Sequence, residues 1–114
     1  MKIEDELFNI TYNDGSNTIF FEGSVRLNDM QRFDKIKQFM LDIFSLETSE
    51  LNIDFIKLDF LNSAGISMLC NFIYEIKDTN KKKVQIVGNK DIQWQKKSFE
   101  NLKIIWKDIQ IYYN

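Results

Sequence analysis

The sequence predicts an α/β fold in which crossover helices connect the strands of a mixed β-sheet. A polar turn, Asn13-Asp14-Gly15-Ser16, separates two β-rich runs and is typical of a hairpin. Apolar residues then recur at helical spacing in three later segments, and short apolar runs lie between and after those segments. The predicted element order is ββαβαβαβ, in a single domain that spans residues 1–114.

Composition excludes several classes of protein. A chain of 114 residues with 44% hydrophobic content can bury a core without disulfide or metal support. The net charge is −2 and the basic residues are scattered, so we expect no nucleic-acid partner. The absence of histidine removes catalytic triads and histidine metal sites, so we expect no enzyme, no metal and no cofactor.

The expected location is the cytoplasm. No apolar run reaches the length of a membrane span, and the first residues do not resemble a signal peptide, so no membrane association is expected. The single cysteine, Cys70, is expected to be a small buried hydrophobic residue in a reducing compartment.

The first half of the chain is predicted to form two strands and a helix. Residues 6–12 and 18–25 form the hairpin that the polar turn connects. Asn28 is the expected N-cap of the first helix, with Gln31 completing a capping-box pattern. Apolar residues at helical spacing carry this helix to about Leu46.

The second half is predicted to alternate strands and helices. The strands cover residues 53–61, 83–87 and 104–113, and the second helix covers residues 64–77. A third helix, capped by Asp91, should hold Trp94, Phe99 and Leu102. The run Lys81-Lys82-Lys83 is interpreted as a solvated turn between the second helix and the following strand.

The junction at residues 58–69, LDFLNSAGISML, is the main candidate site. An apolar strand ends in small polar residues and continues directly as a helix, which leaves free N–H groups that favour an oxygen or an anion. Asn62 or Ser63 can be the N-cap, and Gly65 permits the close approach of another backbone. The alternative is that Ser63 is only a helix cap.

The second helix is predicted to have a sheet-facing stripe and an opposite docking face. The stripe contains Ile66, Leu69, Cys70, Ile73 and Ile76. The docking face contains Ala64, Ser67, Met68, Asn71, Glu75 and Asp78. It begins with small residues, has an adaptable methionine at its centre and ends acidic, so one phosphate could alter partner binding there.

The element order and residues 58–88 resemble the STAS domain of bacterial anti-sigma factor antagonists. In that family a strand leads into an Asp-Ser-Ser-Gly-like junction, followed by a helix and a short strand of the kind seen here in KVQIVG. The segment DIQWQKKSFENLKIIW is most similar to a bacterial subset whose junction reads Leu-Asn-Ser-Ser-Gly-Ile.

The resemblance implies a regulator in a signalling pathway. Such domains bind a serine kinase of the histidine-kinase-like ATPase fold, are phosphorylated on a junction serine and are restored by a serine phosphatase. Here Asn62 replaces the usual aspartate and Ala64 replaces the usual acceptor serine, so Ser63 becomes the candidate acceptor and Ser67 the second candidate. The implied partner-binding residues are Asn62, Ser63, Ala64, Gly65, Ser67, Met68, Asn71 and Glu75.

The alternative function is a constitutive assembly module without a phosphorylation cycle. Ala64 at the acceptor position is its main support. The chain is expected to lack the C-terminal helix of many family members, which would leave apolar surface near Trp94, Trp106 or Tyr112. Such a module would be a homo-oligomer or a subunit of a larger complex.

Overall fold

Six strands form one mixed sheet in which every strand pairs with its neighbours along the chain. The computed structural model describes residues 1–79 and 82–114. The strands are β1 (Lys2–Glu4), β2 (Phe8–Asn13), β3 (Thr18–Val25), β4 (Glu50–Leu61), β5 (Lys83–Gly88) and β6 (Gln110–Tyr113), in the spatial order β1-β2-β3-β4-β5-β6. The first three strands are antiparallel, and β3 to β6 are parallel.

Within the described residues, four helices connect the parallel strands: α1 (Met30–Phe44), α2 (Ser63–Ile76), α3 (Gln93–Glu100) and α4 (Leu102–Ile105). Each connection moves one strand further in the same direction across the sheet. Because such crossovers are right-handed, all the helices lie on one face of the sheet. The core lies between the helices and the sheet. There the ring of Phe55 contacts the rings of Phe21 and Phe99 at centroid distances of 4.9 Å and 4.8 Å.

The predicted fold class is confirmed, with one strand more at the N-terminus. Charged and apolar side chains alternate in the three residues of β1, but this pattern is too short to indicate a strand by itself. The pairing of Ile3 with Ile10 places β1 at the edge of the sheet. The cap of α1 is Asp29, not Asn28, and the Asp29 carboxylate accepts a hydrogen bond from the Gln31 N–H at 2.9 Å.

The predicted third helix and last strand are partly wrong. The N-cap of α3 is Ile92 rather than Asp91, and it makes no side-chain capping hydrogen bond. The helix ends at Glu100 and Leu102 begins α4, so the strand predicted from residue 104 starts only at Gln110. Residues 110–113 pair with β5, and the apolar residues Ile104 and Ile105 belong to α4 instead of the strand.

Two smaller expectations have different outcomes. Cys70 is half-buried against the core rather than fully enclosed. Within the predicted basic turn, Lys81 lies outside the described residues, and Lys83 begins β5. Among residues 1–79 and 82–114, no helix is long and apolar enough to cross a membrane.

Candidate functional site

Asn62 holds the strand-to-helix junction together. It is the N-cap of α2, and its side-chain oxygen accepts a hydrogen bond from the Gly65 N–H at 3.0 Å. Its side-chain NH₂ donates to the Leu27 carbonyl at 2.8 Å, and its backbone N–H donates to the Val25 carbonyl at 3.1 Å. An aspartate carboxylate cannot donate to Leu27, so the asparagine ties the end of β3 to the start of α2 in a way that aspartate cannot.

The strand that leads into the junction extends beyond its partner. β5 pairs only with residues 50–54 of β4. Further along β4, the fully buried Gln95 donates to the carbonyls of Phe55 and Leu58 at 2.7 Å and 2.9 Å. The carbonyl of Asp59 accepts from the Trp94 indole at 2.7 Å. These side chains satisfy carbonyl groups that β5 does not reach, and they keep the end of β4 extended.

Gly65 is packed closely against side chains of the protein's own core. A Cβ atom at this position would lie 2.2 Å from Cδ1 of Leu61 and 3.2 Å from Cε1 of Phe33. The glycine is buried. The expectation that Gly65 admits a partner's backbone is therefore wrong: the chain that approaches it closely is the protein's own, where β4 and α1 meet α2.

The predicted helical phase of α2 is partly wrong, although Leu69, Ile73 and Ile76 of the predicted sheet-facing stripe are buried. Met68 is only 6% exposed and belongs to the core, whereas Ile66 and Cys70 are half-buried. Because α2 packs against α1 as well as against the sheet, its buried arc is rotated from the predicted stripe: it centres on Phe72 and Ile76, and Met68 lies at one edge of it. Met68 is therefore not the exposed centre of a docking face.

Part of the predicted docking face, namely Ala64, Ser67, Met68 and Asn71, lines a groove between α1 and α2, whereas Glu75 and Asp78 do not. The groove has a volume of about 300 Å³ and is lined by Met30, Phe33, Asp34, Lys37, Ala64, Ser67, Met68 and Asn71. We call these residues the α1–α2 groove. Its rim includes the exposed side chains of Met30, Ser67 and Asn71, and Ala64 is half-buried.

The groove is less acidic than the sequence suggests. Glu75 forms an ion pair with Lys37 of the neighbouring helix, with 2.6 Å between Oε2 and Nζ. Asp78 forms one with the adjacent Lys77, with 3.0 Å between Oδ2 and Nζ. Neither carboxylate is therefore a free negative charge. Asp34 lines the same groove as Ser67, so a phosphate on Ser67 would add a second negative charge to the groove.

Ser63 is the first residue of α2 and is exposed. Within the described part of the chain, its hydroxyl makes no hydrogen bond, and neither its own N–H nor that of Ala64 has an acceptor. The helix cap is supplied by Asn62, so the alternative in which Ser63 serves only as the cap is wrong. The free hydroxyl and N–H groups lie where the helix dipole favours a negative group.

The contribution of α1 to the site was not predicted. Met30, Phe33, Asp34 and Lys37 form one side of the groove. The topology contained a signal for this: two successive right-handed crossovers must place α1 beside α2. Gln95 was also missed, because a glutamine among lysines on a short helix resembles a surface residue.

Chemistry in the described residues would depend on groups that can bind a metal ion or act as a nucleophile. No group of three or more histidine, cysteine or acidic residues suited to a metal ion occurs within residues 1–79 and 82–114. The carboxylate of Asp59, near the end of β4, is exposed. Burial raises the pKa of the Cys70 thiol, which lowers the thiolate fraction and its reactivity.

Comparison with known proteins identifies the fold. No family model and no curated protein sequence matches the chain. SiaC of Pseudomonas aeruginosa is similar in structure, with a TM-score of 0.78, 11% identity, and coverage of 100% of this chain and 96% of that chain. A chain in the crystal structure of the P. aeruginosa diguanylate cyclase SiaD in complex with its activator SiaC gives a TM-score of 0.75, with 10% identity and coverage of 100% and 99%.

An anti-sigma factor antagonist from Mycobacterium paratuberculosis is also similar. Its TM-score is 0.61 at 16% identity, over 100% of this chain and 87% of that chain. At these identities the likeness concerns the fold alone. The chain therefore has the STAS-like fold of the anti-sigma factor antagonists, as the resemblance of its junction implied.

Proposed function

We propose that this chain is a non-catalytic regulatory domain that binds a protein partner through the junction and the α1–α2 groove. The observation that carries the proposal is the position of Ser63, whose free hydroxyl is exposed at the start of α2. The exposed groove residues Ser67 and Asn71 lie on the same helix, within about two turns of it. SiaC, which shares the fold, is the activator of SiaD in a complex, and this supports a binding role.

The proposed partner is a serine kinase of the histidine-kinase-like ATPase fold, with a serine phosphatase that reverses its action in the bacterial cytoplasm. The proposed acceptor is Ser63 rather than Ser67. A phosphate on Ser63 would meet two free N–H groups and the positive end of the helix dipole, whereas one on Ser67 would enter a groove that the carboxylate of Asp34 also lines. The fold should therefore tolerate the modification, and its effect should appear in partner binding.

The experiment compares three forms of the protein as bait in the native cytosol. Ser63→Asp should capture the kinase at least about tenfold less than the wild type, because a charge at the contact must be desolvated. Ser63→Ala should capture it normally and remain unphosphorylated. Mass spectrometry of the wild-type protein after incubation with the captured kinase and ATP should locate phosphate on Ser63.

The second candidate is a constitutive assembly module, with the partner bound independently of phosphorylation. Two observations favour it: Ala64 occupies the usual acceptor position, and the edge strand β6 carries the exposed Tyr112. Normal capture by Ser63→Asp, no phosphate on any serine, and oligomers that Tyr112→Lys dissociates would support this function over the first.

A further inference from the structure

The face of the sheet opposite the helices carries a second concave site. Alternation along the strands directs Ile19 and Phe21 into the core, and therefore directs Phe20 to the opposite face. On β4 the same alternation buries Ile53 and Phe55 and places Asp54 on the opposite face. A cavity of about 680 Å³ lies on this face, within the range of small-molecule sites.

The register of the sheet shows how the lining residues are arranged. Thr11 pairs with Phe20, Phe20 with Asp54 and Asp54 with Val87, so one carboxylate lies in a row between an aromatic and an aliphatic residue. Ile56 also lines the cavity. We call this cavity the sheet-face groove. Its lining combines the apolar side chains of Phe20 and Ile56 with the carboxylate of Asp54.

The charges of the sheet-face groove are unbalanced. Lys57 lies 3.7 Å from Glu22, and these two charges offset each other at one end. Asp54 and Asp14 also line the groove, and neither forms an ion pair within residues 1–79 and 82–114. One oxygen of Asp54 accepts a hydrogen bond from the Ile56 N–H at 2.9 Å. The second oxygen has no protein donor in the described chain.

We propose that the sheet-face groove binds a small organic cation, an amine or guanidinium group carried on an aryl or alkyl body. The cation would pair with the second oxygen of Asp54 and lie beside the ring of Phe20, whose electron-rich face attracts positive charge. The apolar body would cover Ile56. This ligand site lies on the other face of the sheet from the α1–α2 groove, so it is independent of the proposed docking surface.

The test uses two probes with the same phenyl ring and opposite charge. Phenethylamine should bind saturably, with a Kd of about 1 mM, and shift the amide NMR signals of Thr11, Phe20 and Ile56. Hydrocinnamate, which carries a carboxylate instead of the amine, should not bind. The probes are small, so titration of the folded wild-type chain is sufficient.

The matched variants separate the charge of Asp54 from its structural role. Asp54→Asn keeps an oxygen for the Ile56 N–H, so the strand should be unchanged, and amine binding should weaken by about tenfold. Asp59→Asn, an exposed carboxylate on the same strand that does not line the groove, should bind the amine like the wild type. Equal binding of both probes, or unchanged amine binding by Asp54→Asn, would overturn the proposal. Binding of a trilysine peptide without binding of phenethylamine would overturn it as well and assign this face to a protein partner.

Discussion

Replacement of Gln95 by leucine tests how the end of β4 is held in place. The side chain is fully buried and makes three hydrogen bonds: two from its NH₂ to the carbonyls of Phe55 and Leu58, and one in which its oxygen accepts from the Asn89 N–H at 2.7 Å. Leucine has a similar volume but makes none of them. Gln95→Leu therefore isolates the polar contribution.

The magnitude follows from the three groups that lose their partner. A buried polar group left unsatisfied costs about 1–3 kcal/mol, and entry of water at the partly buried Asn89 lowers the sum, so we expect a loss of about 3–5 kcal/mol. That is a large share of the roughly 5–15 kcal/mol by which a domain of this size is stable. Urea denaturation at constant m-value measures the change directly.

Two control variants identify which bonds matter. Gln93→Leu alters an exposed glutamine on the same helix and should change the free energy of unfolding by less than about 0.5 kcal/mol. Gln95→Glu keeps an acceptor for Asn89 but removes both donated bonds, so it should destabilise at least as much as leucine. A loss below about 1 kcal/mol for Gln95→Leu would show that the β4 carbonyls have other partners and would refute this reasoning.

Three further predictions concern single side chains. Met68→Lys buries a charge in the core and should reduce the free energy of unfolding, measured in urea, by about 3 kcal/mol. Asn71→Lys on the exposed rim should leave it nearly unchanged. Equal effects of the two variants would show that Met68 is exposed, as the sequence suggested. Burial, with a smaller effect of Glu100, raises the pKa of Tyr113 from 10.0 to about 12, so its contribution to stability is complete below pH 10 and is lost as the pH rises towards 12. The free energy of unfolding of Tyr113→Phe should therefore lack this decline between pH 10 and 12. A decline of the same size in the variant would contradict the assignment to Tyr113. Burial also raises the pKa of the Cys70 thiol, so Cys70 should react with a disulfide reagent at pH 8 more slowly in the native protein than in urea, and equal rates would contradict it.

The sequence predicted the features that repeat over many residues. Helical and strand periodicities placed the hairpin, α1, β4 and α2, because burial of one face imposes a regular pattern. The three residues of β1 are too few to form such a pattern, and no glycine or proline marks the break at Asn101 between α3 and α4. Both features depend on contacts with distant parts of the chain.

The candidate site was predictable in position but not in detail. The small residues at 62–65 correctly marked a strand-to-helix junction. The orientation of α2 was not predictable from its own residues, because α2 packs against α1 as well as the sheet, and Met68 lines the groove between the two helices. Gln95 was equally hidden, since only the folded chain shows that β4 continues beyond β5 and needs side-chain donors.

The most direct test of the proposed docking surface is site-specific photocrosslinking. A photoreactive phenylalanine at Asn71, on the rim of the α1–α2 groove, should crosslink to the kinase partner in the native cytosol, and Ser63→Asp should abolish the crosslink. The matched control carries the photoreactive phenylalanine at Tyr74, which is exposed but does not line the groove, and should give no crosslink to the kinase. Crosslinking of the kinase from Tyr74 but not from Asn71 would contradict the account and place the partner on another surface.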